Sequence, residues 1–307
     1  MKHLLGAASA AALSLALAVP TSAQEDGLKI GMTFQEMNNP YFVSMQEALM
    51  AAAEDLGAEV VVTDAGHDVA KQISDVEDML TQGIDILLLN PTDSAGIESA
   101  VHMAKAQDVI VVAVDANANG PVDTFVGSKN RDAGYQSCKY LAEAIGGEGE
   151  VAILDGIPVV PILERVEGCK AALDEFEGVT LVDTQNGRQD RSVALGVVEN
   201  MIQSHQDLKG IFSVNDGGAM GALAAIQGSG RDIKLTSVDG APEAVAAIAQ
   251  GGPFIETTAQ FPRDQVRVGL AMALAQKWGA RVVPSEVPID VSVIDAKAFR
   301  QRQAVPA

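Results

Sequence analysis

The feature that most constrains this chain is a strict alternation of short β-branched runs with stretches carrying apolar residues at helical spacing. Strand patterns at 28–32, 59–64, 84–90, 109–115 and 124–127 are separated by helical patterns, among them 69–82 and 94–107. The run at 109–115 is almost pure Val and Ile, as a strand buried on both faces requires. A second series starts at Asn130, with strands expected at 150–154, 179–184, 210–214, 234–238 and 255–259. Its helices are expected at 130–145, 162–176, 191–205, 217–227, 242–250 and 263–277, and an extended stretch at 287–294 follows. Alternating βα units imply parallel sheets with right-handed crossovers. Two series without a Gly/Ser/Pro-rich linker imply an α/β fold of two doubly wound parallel-sheet lobes, hinged near 127–130.

Residues 1–23 read as a secretory signal peptide. Lys2 supplies the positive end, 4–19 is apolar and alanine-rich, and Thr21-Ser22-Ala23 has the small residues of a cleavage site. The apolar part is short for a bilayer span of roughly 20 residues, so cleavage after Ala23 and a soluble periplasmic protein are expected. The net charge of -20 excludes a nucleic-acid footprint, which needs basic surface. Cys138 and Cys169 each fall on an apolar helical stripe. Export permits a bridge between them, but buried free thiols at helix–sheet contacts are the safer expectation.

The polar residues recur where strands end. Asn39, Asn90, Asp115, Ser128 with Asn130, Asp155, Asn215 with Asp216, Asp239 and Gln260 all stand at the carboxyl edges of expected strands. Any one of them is explained by capping of the next helix. As a set they point to a shared cleft, because open α/β sheets hold ligands at that edge. The turn before the first helix, Met37-Asn38-Asn39-Pro40-Tyr41-Phe42, adds two rings to its amides. Carboxamides offer donor and acceptor to neighbouring hydroxyls, and a ring covers the C–H face of a sugar.

Catalytic patterns are weak. His67, His102 and His205 lack metal-ligand spacing, and neither a G-x-S-x-G elbow nor a phosphate-binding loop is present. Thr33-Phe34-Gln35-Glu36 follows the first strand in place of a glycine-rich dinucleotide turn. No cofactor, no metal and no enzyme activity are therefore expected. Asp115 and Asp239 form an acid–base pair only in the competing reading of a carbohydrate hydrolase; in a cleft of amides they better accept hydrogen bonds from vicinal hydroxyls.

Asn38-Asn39-Pro40-Tyr41-Phe42, Ile86-Leu87-Leu88-Leu89-Asn90-Pro91-Thr92-Asp93-Ser94, Asn215-Asp216, Val238-Asp239-Gly240 and Ala259-Gln260 together resemble the ribose-binding branch of the type I periplasmic sugar-binding proteins. The resemblance runs in order over 28–293. It implies two similar lobes joined by three crossings, near Ser128, near Gln260 and Phe261, and near 290–292. The first lobe would comprise 24–128 with 261–291, and the second 129–260 with 292–307. It implies closure on a monosaccharide or sugar alcohol and delivery to the transmembrane subunits of an ABC permease. A sensor presenting sugar to a chemoreceptor or kinase is the alternative from another class. Residues matching the family's sugar contacts in kind are Asn39, Tyr41, Phe42, Asn90, Asp115, Asn215, Asp239 and Gln260, with Ser128 a looser match near the hinge. A monomer is expected.

Departures bear on the ligand. Ala116 stands where ribose binders carry an arginine, and Val238 replaces an aromatic. Another aromatic is expected near Gln189, which with Arg188 is placed to reach the ligand instead. A second sugar-binding arginine is expected near Leu163, and Arg165 is assigned to another face of its helix. Fewer rings and arginines favour a small aldose, a furanose or an acyclic sugar alcohol over ribopyranose.

Overall fold

A computed structural model describes residues 27–298 of the chain. The expected signal peptide and the last nine residues of the expected second lobe lie outside the described residues. The first sheet collects β1 (Lys29–Phe34), β2 (Glu59–Asp64), β3 (Ile86–Leu89), β4 (Ile110–Val114) and β5 (Thr124–Ser128). The second collects β6 (Glu148–Asp155), β7 (Gly178–Asn186), β8 (Leu208–Ser213), β9 (Lys234–Asp239) and β10 (Phe254–Ala259). The connecting helices are α1 (Pro40–Leu56), α2 (Val69–Thr81), α3 (Glu98–Lys105), α4 (Asn130–Ala144), α5 (Val160–Leu173), α6 (Arg191–Ser204), α7 (Asp216–Ser229), α8 (Pro242–Gln250) and α9 (Pro262–Lys277). Two last strands, β11 (Glu286–Ile289) and β12 (Ser292–Asp295), are split between the sheets.

The sheet orders are β11-β5-β4-β3-β1-β2 and β12-β10-β9-β8-β6-β7. Each reverses direction once, between β1 and β3 in the first and between β6 and β8 in the second. Those reversals open the crevices where doubly wound sheets take ligands. The expected single stretch at 287–294 is thus two strands. β11 runs parallel to β5 and reaches the cleft edge, where Asp290 and Val291 carry the chain across. A strand entering the second sheet from that edge must run against its neighbours, and β12 is antiparallel to β10. The chain also crosses between β5 and α4 and between β10 and α9, making three crossings. Lys129 and Asp290 pair at 2.5 Å between the first and third, an exposed contact that contributes little to stability.

Both faces of each sheet are covered. Val112 and Val114 of β4 pack with Phe42, Met45 and Leu49 of α1 and Leu270 of α9, while Val111 meets Val76, Met79 and Val101 on the other side. That double burial is why β4 is written as unbroken aliphatic sequence. The second sheet repeats the arrangement, with α6, α7 and α8 on one face and α4 and α5 on the other.

Two helical expectations move. The stretch at 94–107 is helical only over α3, because Asp93 Oδ1 accepts from the backbone N–H of Ala95 and Gly96 and holds the preceding residues in a turn. The second concerns the thiols. Cys138 of α4 and Cys169 of α5 form a disulfide with Cα atoms 5.0 Å apart, so the expectation of free thiols is corrected. The reason is close helix approach at glycine. A Cβ on Gly134 would sit 1.9 Å from the Arg165 carbonyl oxygen, and one on Gly168 1.9 Å from that of Arg131. Facing residues on two such tightly packed helices come within bonding range.

Candidate functional site

The carboxyl edges of the two sheets face a common cleft lined from one side by Gln35, Asn39, Tyr41, Phe42, Asp115 and Ala116. From the other side come Val159, Pro161, Ile162, Arg165, Gln189, Asn215 and Asp239, and Gln260 sits at a crossing.

Asn39 and Asn215 occupy matching places in the two halves. Asn39 is the N-cap of α1 and accepts from the Tyr41 N–H at 3.0 Å; Pro40, which lacks a donor, costs nothing as the next residue. Asn215 is the N-cap of α7 and accepts from the Gly218 N–H at 2.9 Å. Capping and ligand reading are therefore not alternatives here. The cap consumes each Oδ1 and leaves Nδ2 as the donor end of each amide, that of Asn215 lying 3.5 Å from the Gln189 carbonyl oxygen.

Asp115 sits just beyond β4 with φ +70°, in the left-handed region that a non-glycine residue enters at a cost. The Tyr41 hydroxyl donates to its Oδ1 at 2.9 Å and Asn90 Nδ2 lies 3.3 Å from Oδ2. Burial pushes the Asp115 carboxyl up to about 6, against the opposing pull of the Arg165 guanidinium and the Tyr41 hydroxyl. Asp239, at φ +134° in the second half, accepts from Gln260 Nε2 at 2.8 Å and from Arg165 Nη1 at 3.4 Å. Burial raises its carboxyl too, with Arg165 again opposing. Beneath it Asp216, wholly inside, accepts from Ser237, Thr257 and the Ala241 N–H. Burial and the nearby Asp239 charge raise Asp216 as well.

Arg165 lines the cleft and is only 4% exposed. Its Nε donates to Asn130 Oδ1 at 2.9 Å and its Nη1 to the Val214 carbonyl at 2.8 Å, so its plane is fixed. The assignment to another helix face is corrected. Arg165 follows Ile162 by three positions and precedes Cys169 by four, which puts it on the inner stripe. In the first turn of α5 that stripe overhangs the cleft edge and not the sheet.

The remaining expected residues divide. Tyr41 and Phe42 form one wall, their rings edge to face at 5.2 Å, with Phe42 largely in the core. The opposite wall is aliphatic, from Val159, Pro161 and Ile162. Gln189 faces the cleft from a loop where it and Arg188 both have positive φ; its Oε1 accepts from the Ile157 N–H at 3.3 Å. Arg188 is exposed and is not among the lining residues. Asn90 and Ser128 do not line the cleft either. Asn90 is fully buried and braces it from below, through Asp115 and the Gln35 N–H. Ser128 is tied to Tyr41 through Gln265, whose Nε2 lies 2.7 Å from the Ser128 hydroxyl and 2.9 Å from the Tyr41 hydroxyl. Asp155 turns to its neighbour's backbone, accepting from the Gly156 N–H. Gln35, Ala116 and the aliphatic wall were not foreseen as lining residues; the strand-end rule alone would have found Gln35, the first residue past β1. Among the described residues, no group of three or more His, Cys, Asp or Glu side chains is placed to hold a metal ion.

The arrangement presents fixed donors from two caps, two carboxylate acceptors and one shared guanidinium between apolar walls. Two carboxylates against one guanidinium disfavour an anionic guest, and alternating donors and acceptors suit vicinal hydroxyls.

The model of the periplasmic binding protein domain matches residues 30–280 of the chain. The ribose import binding protein RbsB of Bacillus subtilis (strain 168) is 39% identical over 235 residues, covering 76% of each chain. The ribose import binding protein of Haemophilus influenzae is 32% identical over 296 residues, 96% of this chain and 99% of its own. An ABC transporter periplasmic solute-binding protein from Actinobacillus succinogenes 130z, solved with D-allose bound, superposes with a TM-score of 0.85 at 28% identity. That match covers 89% of this chain and 99% of the other.

Proposed function

The chain belongs to the type I periplasmic sugar-binding proteins, ribose-binding branch, and we propose that it holds its sugar in the cleft between the two sheets through residues contributed by both. It captures a monosaccharide or sugar alcohol and delivers it to an ABC transporter. The observation that carries the site assignment is the pairing of Asp115 with Asp239. One carboxylate from each sheet edge lines the same space, and the Arg165 charge, in contact with Asp239, acts on both. A ligand hydroxylated on both sides joins the two halves, so binding selects the closed form. Asn39, Asn215 and Gln189 donate; Asp115, Asp239 and Gln260 accept; Tyr41 and Phe42 cover an apolar face. Asn90 and Ser128 keep Asp115 and Tyr41 in place.

The lobes are taken as 24–128 with 261–291 and 129–260 with 292–307, the signal peptide is cleaved after Ala23, and the mature chain acts as a monomer. The test is thermal melting of the mature protein against pentoses, hexoses, tetritols, pentitols and hexitols, with sugar phosphates as anionic controls. A ligand at about 100 times its Kd should stabilise by roughly 2.7 kcal/mol. A panel without any concentration-dependent rise overturns the assignment.

A further inference from the structure

We propose that Gln265, which does not itself line the cleft, is a positioning residue for binding: its amide holds the Tyr41 hydroxyl so that the phenol proton goes to Asp115, and fastens that pair to the hinge. The affinity arm of its test rests on the sugar-binding reading above. Gln265 lies one turn into α9, just past the second crossing, and is fully buried. Its backbone N–H donates to the carbonyl of Phe261, in the crossing itself, at 3.0 Å. Its Nε2 lies 2.7 Å from the Ser128 hydroxyl, where the first crossing leaves β5, and 2.9 Å from the Tyr41 hydroxyl. Ser128 is in register with Ile289, where the third crossing leaves β11, and the Ile289 carbonyl accepts from the Lys129 N–H at 3.0 Å. One amide thus stands where the three crossings gather and reaches the cleft wall through Tyr41.

A phenol has one proton, which turns about the C–O bond to suit its neighbours. Two acceptors compete for that of Tyr41: Asp115 Oδ1 at 2.9 Å and Gln260 Oε1 at 3.5 Å. An N–H aimed at the phenol oxygen occupies a lone pair, so the proton points elsewhere and the nearer carboxylate takes it. Accepting that bond also makes the hydroxyl a stronger donor in the next. The opposite amide orientation would turn Oε1 to Tyr41 and draw the proton away from Asp115. The orientation adopted leaves Gln265 Oε1 buried without a partner. A side chain that only filled space would avoid that cost by being apolar, as Val266 and Leu270 of the same helix are. The groups acting on Asp115 are Tyr41 from α1, Asn90 just past β3, Arg165 from α5 and Asp239 from β9. Gln265 reaches it only through the first of them.

Gln265→Met keeps the length of the side chain and removes both N–H donors. By calorimetry, affinity for the tightest binder among D-ribose, D-allose, xylitol, erythritol and myo-inositol should fall about three- to tenfold at pH 7. Its loss on acidification should begin at a higher pH than in the native protein, because the Asp115 carboxylate has lost support. The deciding comparison is the double variant Gln265→Met/Tyr41→Phe. It should bind within about twofold of Tyr41→Phe alone, since the amide has no other route to the cleft. Losses that multiply, an unmoved pH profile, or a ligand-free melting temperature far below native would each show a merely structural role and overturn the proposal. A further measurement needs no ligand. Isotope-labelled tyrosine NMR follows the Tyr41 ring, identified by its absence in Tyr41→Phe, as pH is raised through about 6, where Asp115 titrates. That midpoint should move up in Gln265→Met. If no probe binds the native protein, the sugar reading falls, while a raised midpoint still supports the coupling and an unmoved one overturns it.

Discussion

The Tyr41 hydroxyl donates to Asp115 Oδ1 at 2.9 Å, tying the first turn of α1 to the tip of β4. The same oxygen lies 3.5 Å from Gln260 Oε1, and Gln260 in turn holds Asp239 at 2.8 Å. One phenol thus connects the acceptors of the two sheets through a crossing. Removing it in Tyr41→Phe takes a stabilising donor from the Asp115 carboxylate, whose carboxyl should rise further from about 6. Sugar affinity should fall about tenfold at pH 7. Its loss on acidification should begin at a higher pH than in the native protein, which titration at several pH values would read. An unchanged pH profile would show that Tyr41 does not tune Asp115.

Asn215→Asp separates capping from binding. The new carboxylate still accepts from the Gly218 N–H and favours the α7 N-terminus, so melting should stay within a few degrees of native. The donor toward the ligand is replaced by a negative acceptor, and affinity should drop at least about tenfold. Retained affinity in a folded variant would remove Asn215 from the site.

Glu256, wholly inside the second half, is pushed up to about 8 by burial, despite donors from Thr258 and Ser137. Its folded pKa lies above the ordinary carboxylate value, so between about pH 4.5 and 8 the folded state binds more protons than the unfolded one. Stability should therefore fall as pH rises through that window, by up to about 1.4 kcal/mol per pH unit for one such group. Glu256→Gln keeps an oxygen that accepts from Thr258 while removing the titrating group, and should flatten that part of the curve. Asp115 and Asp216, raised in the same direction, leave a residual slope. Denaturant unfolding at pH 5, 6.5 and 8 measures it, and identical slopes in variant and native protein would contradict the assignment.

The Cys138–Cys169 bridge closes a separation of 31 residues, for which loop-closure entropy predicts about 3 to 4 kcal/mol. The double variant Cys138→Ala/Cys169→Ala should lose roughly that amount in denaturant unfolding. Sugar affinity should change less, because Arg165 remains anchored on Asn130 and Val214. Equal stability in oxidised and reduced native protein would show that the bridge is inert.

Much of this protein is written in local pattern. Period and burial of apolar residues placed the strands, since a run such as 109–115 has no use except between two helical layers. The polar residues at strand ends pointed to the cleft for the same reason: only there does a doubly wound sheet open. Where the pattern misled, the missing information lay in another element. The α4–α5 bridge depends on two glycines that let backbones meet, and spacing along either helix does not show which helices touch. Arg165 was misplaced because a helix face is defined by what it overhangs, and α5 begins past the sheet edge.

The positive φ angles of Asp115, Gln189 and Asp239 are likewise conditions of the assembled chain, held against their local cost by the surrounding packing. So is the division of labour between residues that line the cleft and residues that brace them, such as Asn90 beneath Asp115. Fold class and the edge that binds follow from short-range periodicity, which any stretch of ten residues displays. Which side chains converge, with what protonation and with which acceptor left unpaired, follows from distances between residues far apart in the chain. Those distances exist only once the two sheets are packed and joined by their three crossings.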